Sequence, residues 1–244
     1  MAGRREVVVT LTNTGHGGLM FLGHFGAALA LKRAEPKVSL GTLVLGAQLV
    51  DLLWGCFLLA GWEEVRIDPG YTAVTPLQFV HYPITHSLVG TLAWALAAAA
   101  LYYSWPTRDT SRHWQAAAVV GVAVLSHFPL DVLVHVPDLT IAGGDTSHLG
   151  LGLWRSVPAT LAAELLAIAL GLAVYVAFRS RRHPVRPGRL AGLVAVLVGI
   201  YLANVFGPPP PGVTAIAAAD IVGLLALALL AGWADRRAET GPGR

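Results

Sequence analysis

The sequence predicts an all-α fold: a polytopic transmembrane helical bundle of six to seven helices. Three observations point there. Of 244 residues, 55% are apolar and only 13% are charged, about half the ~25% charged share of soluble domains. Mean hydropathy is +0.62. Apolar runs close to the ~20 residues that cross a bilayer core recur along the chain. They are too long and too unalternating for barrel strands, so helices remain the only backbone that lipid tolerates. The same composition excludes a disordered chain.

Seven apolar segments are marked off by their breakers: Leu19 to Ala34, Val38 to Ala60, Pro83 to Trp105, Gln115 to His135, Val157 to Phe178, Leu190 to Phe206, and Val213 to Trp233. They are rich in Ala, Gly, Leu and Val, whose small members let helices approach closely. The first is the shortest, and a re-entrant or interfacial course is open to it. Residues 1–18, with Arg4 and Arg5 ahead of a polar stretch, read as a poorly ordered arm rather than a signal peptide. Residues 19–237 form a single transmembrane domain, and 238–244 a tail. The stretch Arg179 to Arg189 is a basic loop and Pro208 to Pro211 a stiff turn. Cys56 is the only cysteine, so helix packing must hold the fold without an internal disulfide.

Bases alternate by loop. Thirteen of the seventeen, among them Lys32, Arg33, Lys37, Arg108, Arg112, Arg236 and Arg237, fall on one side; Arg4, Arg5, Arg66 and Arg155 fall on the other. The basic side is cytoplasmic by the positive-inside rule. The C-terminus then lies inside, and the N-terminus and loops 61–82, 137–156 and 207–212 lie outside. With pI near 9.3, the excess base is accounted for by topology rather than by nucleic acid. Trp62 and Trp154 outside, and Trp105, Trp114 and Trp233 inside, read as interfacial anchors.

Ionisable residues inside membrane segments are costly and mark function by default. Here they gather in the outer half: His24, Asp51, His86, His127, Asp131, His135, Glu164 and Asp220, with His81 in the loop before the third segment. His127, Asp131 and His135 share one helical stripe, because each step of four drifts only ~40°. His127 and Asp131 can chelate one ion. His135 lies ~12 Å of rise away, at the rim or in a second site. Pro83 starts a helix between His81 and His86 and lets both face one centre, with Thr85 or Ser87 as hydrogen-bond partners of an imidazole. His24, Asp51, His81, His86, His127 and Asp131 are thus the candidate metal ligands, and Glu164 and His135 the candidate catalytic groups. Imidazole and carboxylate without thiolate suit zinc first, manganese or iron otherwise, and five or six ligands suit two ions. Asp220 and Asn204 read as a structural polar pair. Glu63, Glu64 and Asp68 read as a solvated acidic loop, and Asp138, Asp145 and His148 as a solvated rim. His16, His113 and His183 read as surface residues.

His24 followed by Gly26 and Ala27, Asp51, His81 to His86-Ser87, and His127 to Asp131 together resemble a bacterial inner-membrane family of membrane-bound metal-dependent hydrolases, related to zinc-dependent phospholipase C. The resemblance covers about residues 20–140. Tyr82 stands where the family often has Arg, and Leu52 and Leu53 where a second acid is often seen. The resemblance implies a metal-dependent hydrolase of phosphoester or lipid substrates in the bacterial cytoplasmic membrane. Two readings from other classes stand beside it: a transporter of metal ions or protons, and a scaffold in which the His and Asp residues glue helices together. Oligomeric state is not specified by the sequence.

The orientation is testable. Single cysteines placed in loop 61–82 are expected to react with a membrane-impermeant thiol reagent from outside intact cells, and those in 179–189 only after lysis. Labelling of the first loop only from the cytoplasm overturns the assignment.

Overall fold

The computed structural model describes residues 22–105, 113–144, 148–182 and 186–236. The expected arm (1–18, with Arg4, Arg5 and His16), Arg108, Arg112, Asp145, His183, Arg237 and the tail 238–244 lie outside the described residues. The elements are α1 (Leu22–Leu31), α2 (Leu40–Ala47), α3 (Leu49–Ala60), β1 (Glu64–Ile67), β2 (Leu77–His81), α4 (Pro83–His86), α5 (Leu88–Ser104), α6 (His113–Leu125), α7 (His127–Val134), a 3-10 turn at Leu153–Arg155, α8 (Val157–Arg182), α9 (Pro187–Phe206) and α10 (Val213–Ala234).

The described residues are about 70% helical. Among the described residues four stretches are long and apolar enough to cross a bilayer: α6 with α7 (His113–Val134), Val157–Phe178 of α8, α9 and α10. A fifth arises if α2 and α3, bent by 53°, count as one span. Of the expected six to seven spans, four or five are long and apolar enough among the described residues. The difference lies in two segments. The first apolar segment is helical over ten described residues, ~15 Å at 1.5 Å per residue. The third is split at Ser87, which leaves seventeen residues in α5. Apolar side chains such as Leu96, Leu166, Val222 and Leu229 stay exposed around the outside. A face of that kind is made for hydrocarbon.

Local chemistry explains the breaks. Ser39 caps α2 by accepting the Thr42 N–H at 3.0 Å. Ser87 is extended (φ −76°, ψ 156°) and its Oγ accepts the Gly90 N–H, so α4 ends and α5 starts at one residue. Pro129 has no N–H for the Leu125 carbonyl, and the regular helix is interrupted just there, at Ser126 between α6 and α7. Gly61 closes α3 in the left-handed conformation (φ 72°), which a residue with a Cβ adopts at a cost.

A two-stranded antiparallel hairpin, absent from the sequence-based expectation, fills loop 61–82. Val65 pairs with Phe79 and Ile67 with Leu77. Val65, Leu77 and Phe79 are buried and the facing residues are not, the alternation of a strand with one covered face. The segment after α7 folds over the same end. Its Thr140 and Ile141 carbonyls accept the N–H groups of Leu88 and Val89 at 3.1 and 2.9 Å, satisfying donors that the start of α5 would leave open.

Glycine decides how α1 seats on α8. A Cβ built on Gly171 would penetrate the backbone of Gly26, and one on Gly26 would meet the Ala167 carbonyl. The two helices are therefore in backbone contact. At the opposite end from the hairpin, Lys32 is buried and paired with Asp235 at 2.7 Å. Tyr175 donates to the other oxygen of Asp235 at 2.8 Å. Lys32, expected among the solvated loop bases, is instead part of a buried polar tie between α1, α8 and the end of α10, because its short loop turns it back under the helices.

Gly171→Val is expected to destabilise the protein by about 1–3 kcal/mol through overpacking, read as a lowered unfolding temperature in detergent micelles. Gly199→Val, at a position where a Cβ meets nothing within 4 Å, is the control expected to leave stability near wild type.

Candidate metal centre

The helix ends beneath the hairpin converge on one cluster. His24 comes from the first described turn of α1, Asp51 from the first turn of α3 just after the bend, and His86 from the last residue of α4. His127 opens α7 and Asp131 lies one turn further on. All five are buried, His24 and His127 completely. Asp131 is the hub: its Oδ2 lies 3.0 Å from His127 Nε2 and 3.8 Å from His86 Nε2, and its Oδ1 lies 3.5 Å from His24 Nε2. Asp51 Oδ1 lies 3.2 Å from His86 Nε2 and 3.4 Å from His127 Nε2. Two overlapping triads, His24–His127–Asp131 and Asp51–His86–His127, have ligand atoms close enough together to hold a metal ion.

The outward-facing nitrogens fix the tautomers. His127 Nδ1 lies 2.9 Å from the Ala47 carbonyl, which can only accept, so Nδ1 carries the hydrogen. His86 Nδ1 lies 2.7 Å from Thr85 Oγ1, whose own hydrogen is given to Glu63 Oε2 at 2.7 Å. His86 Nδ1 is therefore also the donor. His135 Nδ1 faces the Asp138 carboxylate at 2.9 Å, and the same logic holds. In the neutral rings, all three Nε2 lone pairs then point inward, toward two carboxylates that are themselves acceptors. His127 Nε2 and both nitrogens of His24 make no hydrogen bond. Buried acceptors facing acceptors are unfavourable without a positive charge among them. The donor set therefore fits a divalent cation.

His135 reaches the cluster through Asp131, its neighbour one turn back, with Nε2 4.0 Å from Asp131 Oδ2. His135 adopts an extended conformation (φ −58°, ψ 145°), its N–H still bonded to the Asp131 carbonyl, and its ring packs on Trp154 at 4.1 Å and Phe79 at 5.0 Å. Trp154, expected as an interfacial anchor, is fully buried for this purpose. Trp62, Trp105, Trp114 and Trp233 are exposed, as anchors must be.

His81 is not brought into the cluster. It ends β2, pairs with Glu64 across the hairpin and is exposed. It lines a loop-side cavity of about 340 Å³ with Tyr82, Asp138, His148 and, at its inner wall, His86. Burial, and then the neighbouring Asp138 carboxylate, push the Tyr82 phenol upward, so it stays a neutral donor at this mouth. Glu164 is buried, but its Oε2 accepts the Gly23 N–H at 2.7 Å; it secures the start of the helix that presents His24. Asp220 and Asn204, expected as a structural polar pair, make no hydrogen bond to each other among the described residues. They share a second cavity with Asp51.

Sequence reasoning missed Glu63. It is buried, not solvated, and its Oε1 accepts the N–H groups of Ile84 and Thr85 at 2.9 Å each. This acid caps α4 from the far side of the hairpin, where Tyr82 supplies no side-chain cap. The sequence signal was the proline-initiated turn Pro83-Ile84-Thr85, whose free N–H groups need a partner. Thr85, rather than Ser87, is the residue that orients His86; Ser87 Oγ is committed to Pro83 and Gly90. Asp138 likewise holds His135 instead of lying free in solvent.

Comparison with family models, with curated proteins and with solved structures finds no match.

Thr85→Val removes the acceptor of His86 Nδ1 while keeping the shape of the side chain. Divalent-cation affinity is expected to fall about 10–100-fold, the usual cost of losing an orienting partner of a ligand, measured by competition with a fluorescent chelator. An unchanged affinity would mean that His86 is not a ligand.

Proposed function

We propose that this protein is an integral membrane metal-dependent hydrolase with its His/Asp centre near the extracytoplasmic face of a bacterial cytoplasmic membrane, and that the preferred ion is zinc. The observation that carries this reading is the inward convergence of imidazole lone pairs on two buried carboxylates. His24, Asp51, His86, His127 and Asp131 are the ligands. A divalent cation among such ligands acidifies a water molecule and polarises the oxygen of an ester or phosphoester.

The chain's own residues supply the rest. His135, with Asp138 on Nδ1 and its Nε2 on the cluster side, is the proton acceptor of the reaction. Glu164 is a positioning residue, acting through Gly23 and α1. The loop-side cavity, with His86 in its wall, admits water. Segments one and three complete the seven-segment topology as short or broken helices around the centre, in the manner of membrane sites built where helices break.

A transporter would need a polar path through the other half of the bundle. Beyond the cluster, α1 and α2 bury Phe25, Ala28, Leu29, Leu43 and Val44, an apolar plug before the Lys32–Asp235 pair. That arrangement favours a pocket with a floor over a conduit.

The test is elemental analysis of the purified protein with activity measured beside it. Stoichiometric zinc is expected, lost in His127→Ala and Asp131→Ala with helical content retained. His135→Ala is expected to keep the metal and lose about 10²–10⁴-fold in kcat on chromogenic esters or phosphodiesters, the range for a removed general base. Metal-free wild-type protein, unaltered by these substitutions, overturns the reading in favour of helix glue.

A further inference from the structure

The cluster has a second approach, from the lipid side. A cavity of about 240 Å³ lies between α3, α9 and α10 and has Asp51 in its wall. Along α10 its lining runs from Ile216 to Leu227, ~16 Å of rise. Ile200 and Leu224 give it apolar sides, and Ile200 is exposed at the bundle's surface. The polar groups in its lining are Gln48, Asp51, Asn204 and Asp220.

Two of these are unsatisfied. Gln48 is only 1% exposed, and neither its Oε1 nor its Nε2 has a hydrogen-bond partner. Asp220 Oδ2 has none either. Burying an amide in this state is costly. The bend at Gln48 does not require it, since the backbone there makes its own bond to Val44. The cavity is far roomier than one bridging water needs. What satisfies Gln48 must both donate and accept. A hydroxyl group does both. A phosphate offers chiefly acceptors and brings negative charge beside Asp51, and among the described residues no Lys, Arg or His lines this cavity to offset the repulsion.

We propose that this cavity binds the polar end of an uncharged, hydroxyl-bearing amphiphile of the monoacylglycerol type, hydrogen-bonded to Gln48 and Asp220, with its chain lying along α10 toward the lipid. The ester of such a molecule then faces Asp51 and the cluster. As a statement about substrate this rests on the hydrolase reading; as a statement about binding it does not. It narrows the substrate from esters in general to uncharged ones.

Gly223 provides the decisive variant. It lines the cavity, and a Cβ placed on it meets nothing within 4 Å, so the variant Gly223→Trp brings a bulky ring to the cavity wall from an unobstructed Cβ. The full-length protein in detergent is titrated with 1-oleoylglycerol and, separately, with 1-oleoyl lysophosphatidate, binding being followed by native mass spectrometry and metal content measured on the same samples. One equivalent of 1-oleoylglycerol is expected, weakened roughly tenfold by Gln48→Leu, the worth of about one hydrogen bond, and abolished by Gly223→Trp, with metal content unchanged. Should Gln48→Leu fail to fold, Gly223→Trp decides alone. The proposal is overturned if 1-oleoylglycerol does not bind, if its binding is indifferent to Gly223→Trp, or if lysophosphatidate binds as tightly with the same dependence. Metal-free wild-type protein that still binds 1-oleoylglycerol at Gly223 leaves this site standing and removes the hydrolase reading.

Discussion

Lone pairs aimed at lone pairs are the constraint on which the rest of the molecule depends. Three imidazoles are held by their far nitrogens, through Ala47, Thr85 and Asp138, so that their near nitrogens cannot turn away from Asp51 and Asp131. Outside a membrane, water would relieve such an arrangement. In the interior of a helical bundle a cation, whether a metal ion or protons taken up by the rings, can relieve it. The supporting bonds decide which way the rings face, and they are therefore as much a part of the centre as the ligands.

The scaffold delivers these groups by interrupting its helices. Asp51 follows a bend, His86 ends a single turn, His127 begins a helix, and His135 follows the end of that helix. A continuous helix presents side chains on a stripe, and stripes from several helices meet poorly at a point. Helix ends can be aimed. Breaks in a membrane bundle are admissible where the freed backbone finds partners, and here Glu63, Ser87, Thr140 and Ile141 supply them.

Much of this was legible in the sequence, and the reason is the expense of putting ionisable groups beside lipid. His24, Asp51, His86, His127 and Asp131 stood out because they interrupt apolar runs, and they meet. Helices α8 to α10 follow their apolar segments closely, since each is a long run with clear breakers. What stayed hidden depends on chain direction over short distances. His81 was placed with the ligands by a proline break, but the strand that ends at it leaves it exposed. His135 was placed at the rim or in a second site by its rise from His127, yet as the i+4 neighbour of Asp131 it reaches the hub of the cluster. Glu63 looked like any acid in a loop, because no local pattern reports that a hairpin carries it back to Thr85. The break in the third segment stayed hidden for the same reason: composition shows where a segment is apolar, not that Ser87 divides it.

Every group in the cluster is supplied between residues 24 and 135, yet the helix bearing His24 is seated by Gly171 and tethered by Glu164, both on α8. During synthesis, then, the ligand-bearing part of the chain emerges well before the element that sets the depth of its first histidine. The pocket is open on that flank until α8 docks. Completion of the cluster is thereby tied to completion of the bundle, and a truncated or stalled chain is left without the contacts that seat His24.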